Sequence, residues 1–258
     1  MSFKIKYPIT KKYLTTGTKR RSGIMLAKLE FIVAHDTGND GSTALQNINY
    51  YENSKNTISA SAHIFVDDKG IYECIPLLTG PPEKAWHVQY QKPIDNELFG
   101  DDANDIAAGV ELCYSNNHGN INNEDAYKRY VWVLAYLCYK FGLDPAKKII
   151  GHHILDPKRK TDPQNAFLKM EKSYEQFLQD VVIEYFECLS KQETLMKLEG
   201  WKLQVALDSL NNLSKKGLLS NVEKWKEKVI ECPEQIIKEM PWLFFVMLDR
   251  ISQNIRKE

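Results

Sequence analysis

The sequence predicts an α/β layered domain followed by a small all-α module. Three observations point that way. Strand-like and helix-like runs alternate from Leu29 to about Tyr185; two of the apolar runs lead into a histidine, His35 and His152; and residues 190–258 contain no strand-like run. At 258 residues the chain is long enough for one medium domain plus a small one.

Taken in order, Phe31-Ile32-Val33-Ala34 is the first strand, a short apolar run. Ser42 stands where it can cap a helix through Leu45, Ile48, Tyr51 and Glu52, whose apolar positions three apart make one buried face. A hairpin follows, with residues 60–66 and 71–75 flanking the polar turn Asp67-Asp68-Lys69-Gly70. Residues 76–105 hold Pro76, Pro81, Pro82, Pro93 and many acids, and read as a long surface excursion. Ile106 to Tyr114 reads as a buried central strand in which one acid, Glu111, stands out. Asn122 or Asn123 opens a long helix through Tyr127, Tyr130, Val131, Leu134, Ala135 and Cys138 that stops at Gly142. Lys148-Ile149-Ile150 is a short strand running into His152, and a helix from about Pro163 continues to the region of Leu189.

The tail then reads as two to four amphipathic helices. Trp201, Val205, Leu207 and Leu210 lie on one, Val222, Trp225 and Val229 on another, and Ile236, Met240, Leu243, Phe244, Met247 and Ile251 on the last. The expected division is an α/β domain over 1–185, with its core at 28–170, and a helical module over 190–258.

Thirty-four basic and 34 acidic residues balance, which argues against a general nucleic-acid binder. Residues 1–30 are locally basic, and read as a solvated arm ahead of a contact for an anionic surface. Five cysteines at 74, 113, 138, 188 and 232 have no Cys-x-x-Cys spacing, so neither a zinc ribbon nor a disulfide framework is indicated, and a reducing compartment suits them. Met1 to Arg21 is broken by lysines and Pro8, so synthesis in the cytoplasm without a signal peptide is expected. The longest apolar cluster, Trp242 to Leu248, falls short of the roughly 20 residues of a membrane span.

The chemistry concentrates in Gly151-His152-His153-Ile154-Leu155-Asp156-Pro157-Lys158-Arg159-Lys160-Thr161-Asp162-Pro163. Pro157 and Pro163 restrict a segment short enough to fold back, so that His152 and Asp162 can meet one ion together with His35. Two imidazoles and a carboxylate are a sufficient set for zinc, which in hydrolases keeps three protein ligands and an open position. His153 competes with His152, because neighbours on an extended chain point to opposite faces. His118, in a polar turn, reads as an exposed residue.

Residues 31–35, 60–67, 85–87, 109–111 and 151–163 resemble, in order and spacing, the zinc-dependent N-acetylmuramoyl-L-alanine amidases of type 2, whose fold is related to peptidoglycan recognition proteins. The resemblance implies a central, mainly mixed sheet flanked by helices and one Zn2+ held by His35, His152 and Asp162, with His153 a neighbour. It further implies hydrolysis of the amide between the lactyl group of N-acetylmuramic acid and L-alanine. Glu111 matches the family position of a catalytic glutamate, and an ionisable group in an apolar strand is costly without a task. Lys160 matches a lysine that can stabilise a developing oxyanion. His63, Trp86 and His87 match positions that line the substrate groove. Two departures concern orientation rather than ligation: Ile154 where many members carry an acid, and Asp36 where a second histidine or another polar residue is common.

On this reading the partner is bacterial peptidoglycan, with no nucleic acid and no integral membrane segment, and the protein is an endolysin or autolysin acting outside the cell after release. The helical tail is expected to contact a wall polymer. The alternatives are a non-catalytic peptidoglycan-binding protein of the same fold and a cytoplasmic wall-recycling amidase.

Overall fold

The computed structural model describes residues 2–116, 119–190, 198, 200–217 and 219–231. His118, Cys232 and the last expected helix, with Ile236 to Ile251, lie outside the described residues. Two compact units divide the chain, Phe3–Leu189 and a C-terminal one beginning at Ser190.

In the larger unit six strands form one sheet: β1 (Ile9–Lys11), β2 (Phe31–Asp36), β3 (Ile64–Val66), β4 (Ile71–Glu73), β5 (Ala107–Leu112) and β6 (Ile149–Gly151), in the order β1-β4-β3-β5-β2-β6. β3, β5, β2 and β6 run parallel; β4 pairs with β3 antiparallel through the hairpin, and β1 runs parallel to β4. The sheet is therefore mixed. It is covered on both faces, which is why the run Phe31 to Ala34 is apolar throughout rather than alternating. Ile32, Ala34, Ala108 and Val110 join the core formed with the long helix Asn123–Phe141, whereas Phe31, Val33 and Ala107 join Ile106, Ile150 and Leu155 in a second cluster.

The helices of this unit are α1 (Ala44–Asn53), α2 (Pro93–Phe99), α3 (Ala103–Ile106), α4 (Asn123–Phe141), α5 (His152–Leu155), α6 (Gln164–Lys169) and α7 (Tyr174–Cys188). Asn122 caps α4 by accepting from the Asp125 N–H, and Gly142 closes it at φ 67°, a left-handed conformation that glycine adopts without strain. Trp132 and Tyr130 of α4 are wholly buried.

Several expectations are corrected. Thr43, not Ser42, caps α1, because Gln46 at the third helical position returns the hydrogen bond and completes a capping box. The single helix expected from Pro163 to Leu189 is two, α6 and α7, broken where Glu171 takes φ 53° and Ser173 caps the second. The excursion over 76–105 contains α2 and α3: Pro93 opens α2, and Gly100 at φ 94° closes it. The buried Asp95 carboxylate accepts from the Ala103 N–H at the start of α3 (2.9 Å). The basic arm is not simply solvated, since Ile9–Lys11 is an edge strand and Arg20 is only 2% exposed.

In the C-terminal unit the described helices are α8 (Trp201–Lys215) and α9 (Val222–Glu231). Among the described residues no helix is long and apolar enough to cross a membrane.

Candidate metal centre

Period-two alternation puts His35 and Glu111 on the same face as Phe31 and Ala107, and both lie near the C-terminal ends of parallel strands. β6 ends at Gly151, where His152 begins α5. Three adjacent parallel strands thus deliver His35, Glu111 and His152 to one edge of the sheet, the usual ligand side of such sheets.

Asp162 arrives on the loop between α5 and α6. His35 Nδ1 lies 2.8 Å from its Oδ2, and His152 Nδ1 lies 3.0 Å from the same oxygen. One donor atom from each of His35, His152 and Asp162 lies within 4.8 Å of the others, and all three residues are buried. Burial raises the Asp162 carboxyl, but hydrogen bonds from His152 and His35 outweigh it and hold the group well below the usual carboxylate range. Burial lowers His35 to about 4 even though Asp162 opposes the shift. Two imidazole nitrogens and a carboxylate oxygen are what a divalent cation of borderline softness binds. His152 Nε2 is buried with no partner among the described residues.

His35 is oriented from outside this group. Its Nε2 is 3.2 Å from His87 Nδ1, and His87 Nε2 is 3.3 Å from the Ala107 carbonyl. The His87 N–H donates to Asn104 Oδ1 (2.9 Å). Tyr130 Oη donates to the His35 carbonyl (3.0 Å) and lies 3.2 Å from that of Val110, tying the ends of β2 and β5 to α4. Asp36 anchors α6, accepting from Asn165 Nδ2 (3.1 Å) and the Ala166 N–H (3.1 Å). The departure from the resembling pattern at Asp36 thus has a use: it fixes the helix that follows Asp162.

Glu111 Oε2 is buried and unpartnered among the described residues. Burial, reinforced by the charges of Asp162 and Asp36, raises its carboxyl well above the ordinary value. Lys160 Nζ stands 4.0 Å from Asp162 Oδ1. Glu111, Lys160, Trp86, His87 and the three donor residues all line one cleft of about 360 Å³. An adjoining groove continues past Trp86 toward Tyr90 and Gln91.

Two sequence expectations change. His63 does not line the cleft; it is fully buried, with Nε2 2.9 Å from the Glu83 carbonyl and Nδ1 accepting from the Gly109 N–H (3.0 Å). His153 is set aside by the turn of α5 rather than by an extended chain. Its N–H donates to the Asp162 carbonyl (2.9 Å), and its ring packs on Tyr174. Tyr130 and Asn104 are not singled out by the sequence as parts of this site. A trace of the packing was there in two glycines: a Cβ at Gly109 would lie 2.6 Å from His87 Cγ, and one at Gly151 would lie 2.5 Å from the His153 ring.

Fold and site together define a class, an α/β protein with a buried two-histidine, one-aspartate group able to hold a metal ion at a sheet edge. A model of the N-acetylmuramoyl-L-alanine amidase family matches residues 25–165, and the chain belongs to that family. The amidase BlyA of Bacillus subtilis (strain 168) is 32% identical over 157 residues, covering 58% of this chain and 41% of its own length. CwlA of the same strain is 33% identical over 123 residues, 47% of this chain and 40% of its own length. The matched stretch thus spans about two fifths of these relatives. Among solved structures, the catalytic domain of XlyA aligns with a TM-score of 0.52 at 21% identity, covering 67% of this chain and 99% of its own. Staphylococcus aureus hydrolase AmiA aligns with a TM-score of 0.56 at 22% identity, covering 70% of this chain and 85% of its own. At these identities the structural likeness speaks for the fold.

Proposed function

We propose that this protein is a zinc-dependent peptidoglycan hydrolase that cuts the amide between the lactyl group of N-acetylmuramic acid and L-alanine. One observation carries the reading: a buried donor set of two imidazoles and a carboxylate opens on a polar cleft, with Glu111, whose Oε2 has no partner among the described residues, one strand away. The names of the curated relatives support the substrate.

His35, His152 and Asp162 would hold the ion; bound there, zinc polarises the scissile carbonyl and acidifies water. The remaining work falls to the chain's own groups. His87 fixes the ring of His35, as an outer partner of a ligand does. Glu111, whose burial beside other carboxylates raises its affinity for a proton, takes as carboxylate the proton that the attacking water gives up and hands that same proton to the departing amine nitrogen. Lys160 lends a cation to the carbonyl oxygen as charge builds there. Trp86 offers a ring on which sugar or peptide can pack.

Digestion of purified wall is expected to release new L-alanine amino termini and no new reducing sugar ends. New reducing ends without L-alanine termini would replace the amidase with a glycosidase. The helical tail is proposed to hold the enzyme on a wall polymer. A chain ending after Leu189 should then cut soluble muropeptide but wash off the wall, and equal retention would remove the targeting role.

A further inference from the structure

The basic arm lies largely ahead of residues 25–165, the stretch that matches the family, yet two of its arginines turn inward. Arg21 clamps Glu83 with two hydrogen bonds, Nε to Oε2 (2.8 Å) and NH2 to Oε1 (2.6 Å). Arg20 is the more unusual. It is buried, no carboxylate pairs with it among the described residues, and its Nε has no partner there. One face of its guanidinium lies 4.0 Å from the centroid of the Tyr51 ring. NH1 donates to the Ala60 carbonyl, and NH2 donates to Ser54 Oγ (2.7 Å).

Those contacts lead to the cleft, because Tyr51 and Ala60 both line it with Glu111. From Ala60 the connection runs on: the Ser61 N–H donates to the Trp86 carbonyl (3.0 Å), and the Trp86 N–H donates to Ser61 Oγ (3.0 Å). A buried cation without a counter-ion is costly, and a planar fork is the side chain that can stack on a ring while gripping two oxygens at its edge.

We propose that Arg20 is a positioning residue of the cleft, acting through Tyr51 and the 60–61 strip to set how tightly the muramoyl peptide is held, not how fast its amide is cut. The proposal rests on the reading of this cleft as an amidase site.

The test uses the full zinc-loaded chain, a soluble muramoyl peptide and three variants: Arg20→Met, Tyr51→Leu and the pair together. Arg20→Met is expected to raise KM about 10-fold, with kcat within about twofold and zinc content unchanged. Hydrogen exchange at the Ser61 and Trp86 amides should quicken while that of α4 stays put. Tyr51→Leu should reproduce the KM rise, and the pair should be no worse than either alone. A fall in kcat at constant KM, a uniform rise in exchange, or a normal KM in Tyr51→Leu would overturn the proposal. If Arg20→Met does not fold, the Tyr51→Leu KM alone decides. If the unaltered chain cuts no muramoyl amide, the amidase reading fails, and the exchange comparison still judges whether Arg20 holds the strip.

Discussion

His35 and Glu111 are register partners on the neighbouring parallel strands β2 and β5, so their side chains leave the sheet on the same face, side by side. A candidate metal donor and a carboxyl whose Oε2 has no hydrogen-bond partner among the described residues are thereby set at one height by the sheet itself, and Tyr130 pins both strand ends to α4.

From that pairing, Glu111→Gln should keep the fold and the zinc and lose the proton transfer. Its kcat on a soluble muramoyl peptide is expected to drop by about 10² to 10⁴. Activity within a few-fold of the unaltered protein would remove Glu111 from the chemistry.

The donor set is tested separately from activity. Zinc in the purified protein should be near one per chain, and it should be nearly absent from His35→Ala and Asp162→Ala. His153→Ala should retain it, since that ring packs on Tyr174 instead. Metal loss in His153→Ala with retention in His35→Ala would reverse the assignment.

Gly109→Ala probes the outer partner of His35. The new Cβ would meet His87 Cγ at 2.6 Å, and His87 is held by Asn104 and Ala107 and cannot step aside. Overpacking of this kind costs about 1–3 kcal/mol, so a lower unfolding midpoint is expected together with weaker zinc retention. A variant as stable as the parent would show that the strand can give way there.

His63 sets a pH dependence. Burial lowers its folded pKa to about 4 from an ordinary 6.5. The unfolded chain therefore binds the proton more readily; the stabilisation is present above about 6.5 and is lost as the pH falls toward 4. Each pH unit of that separation is worth about 1.4 kcal/mol. Thermal unfolding followed from pH 7 to pH 4 should show a falling midpoint, less steep in His63→Gln. A midpoint that rises on acidification would contradict a buried neutral imidazole.

The candidate donors drew attention because His35 and His152 follow apolar runs and Asp162 precedes Pro163, but the choice of His152 over His153 came from the resemblance; Glu111 stood out because a charge in an apolar strand is conspicuous. Tyr130 and Asn104 were hidden. A tyrosine in a long amphipathic helix looks like core, and an asparagine in an acidic loop looks like surface; each matters only through what folding brings beside it. His63 misled for the same reason in reverse, since its motif placed it in the groove and both its ring nitrogens are spent on backbone. Arg20 read as part of a solvated arm because charge runs usually are, and nothing local announces two tyrosine rings waiting for it.

The sequence by itself determined the α/β alternation and the strand ends that carry chemistry. These follow from periodicity and residue type, which are local properties of the chain, whereas the choice of His35, His152 and Asp162 as candidate donors came from the resemblance to the amidase family. Only the tertiary structure decided that β5, β2 and β6 lie adjacent, that α5 turns His153 away, and that His87, Tyr130 and Arg20 brace the cleft. Those are contacts between residues distant along the chain, and they are set by the packing of both sheet faces rather than by any local pattern.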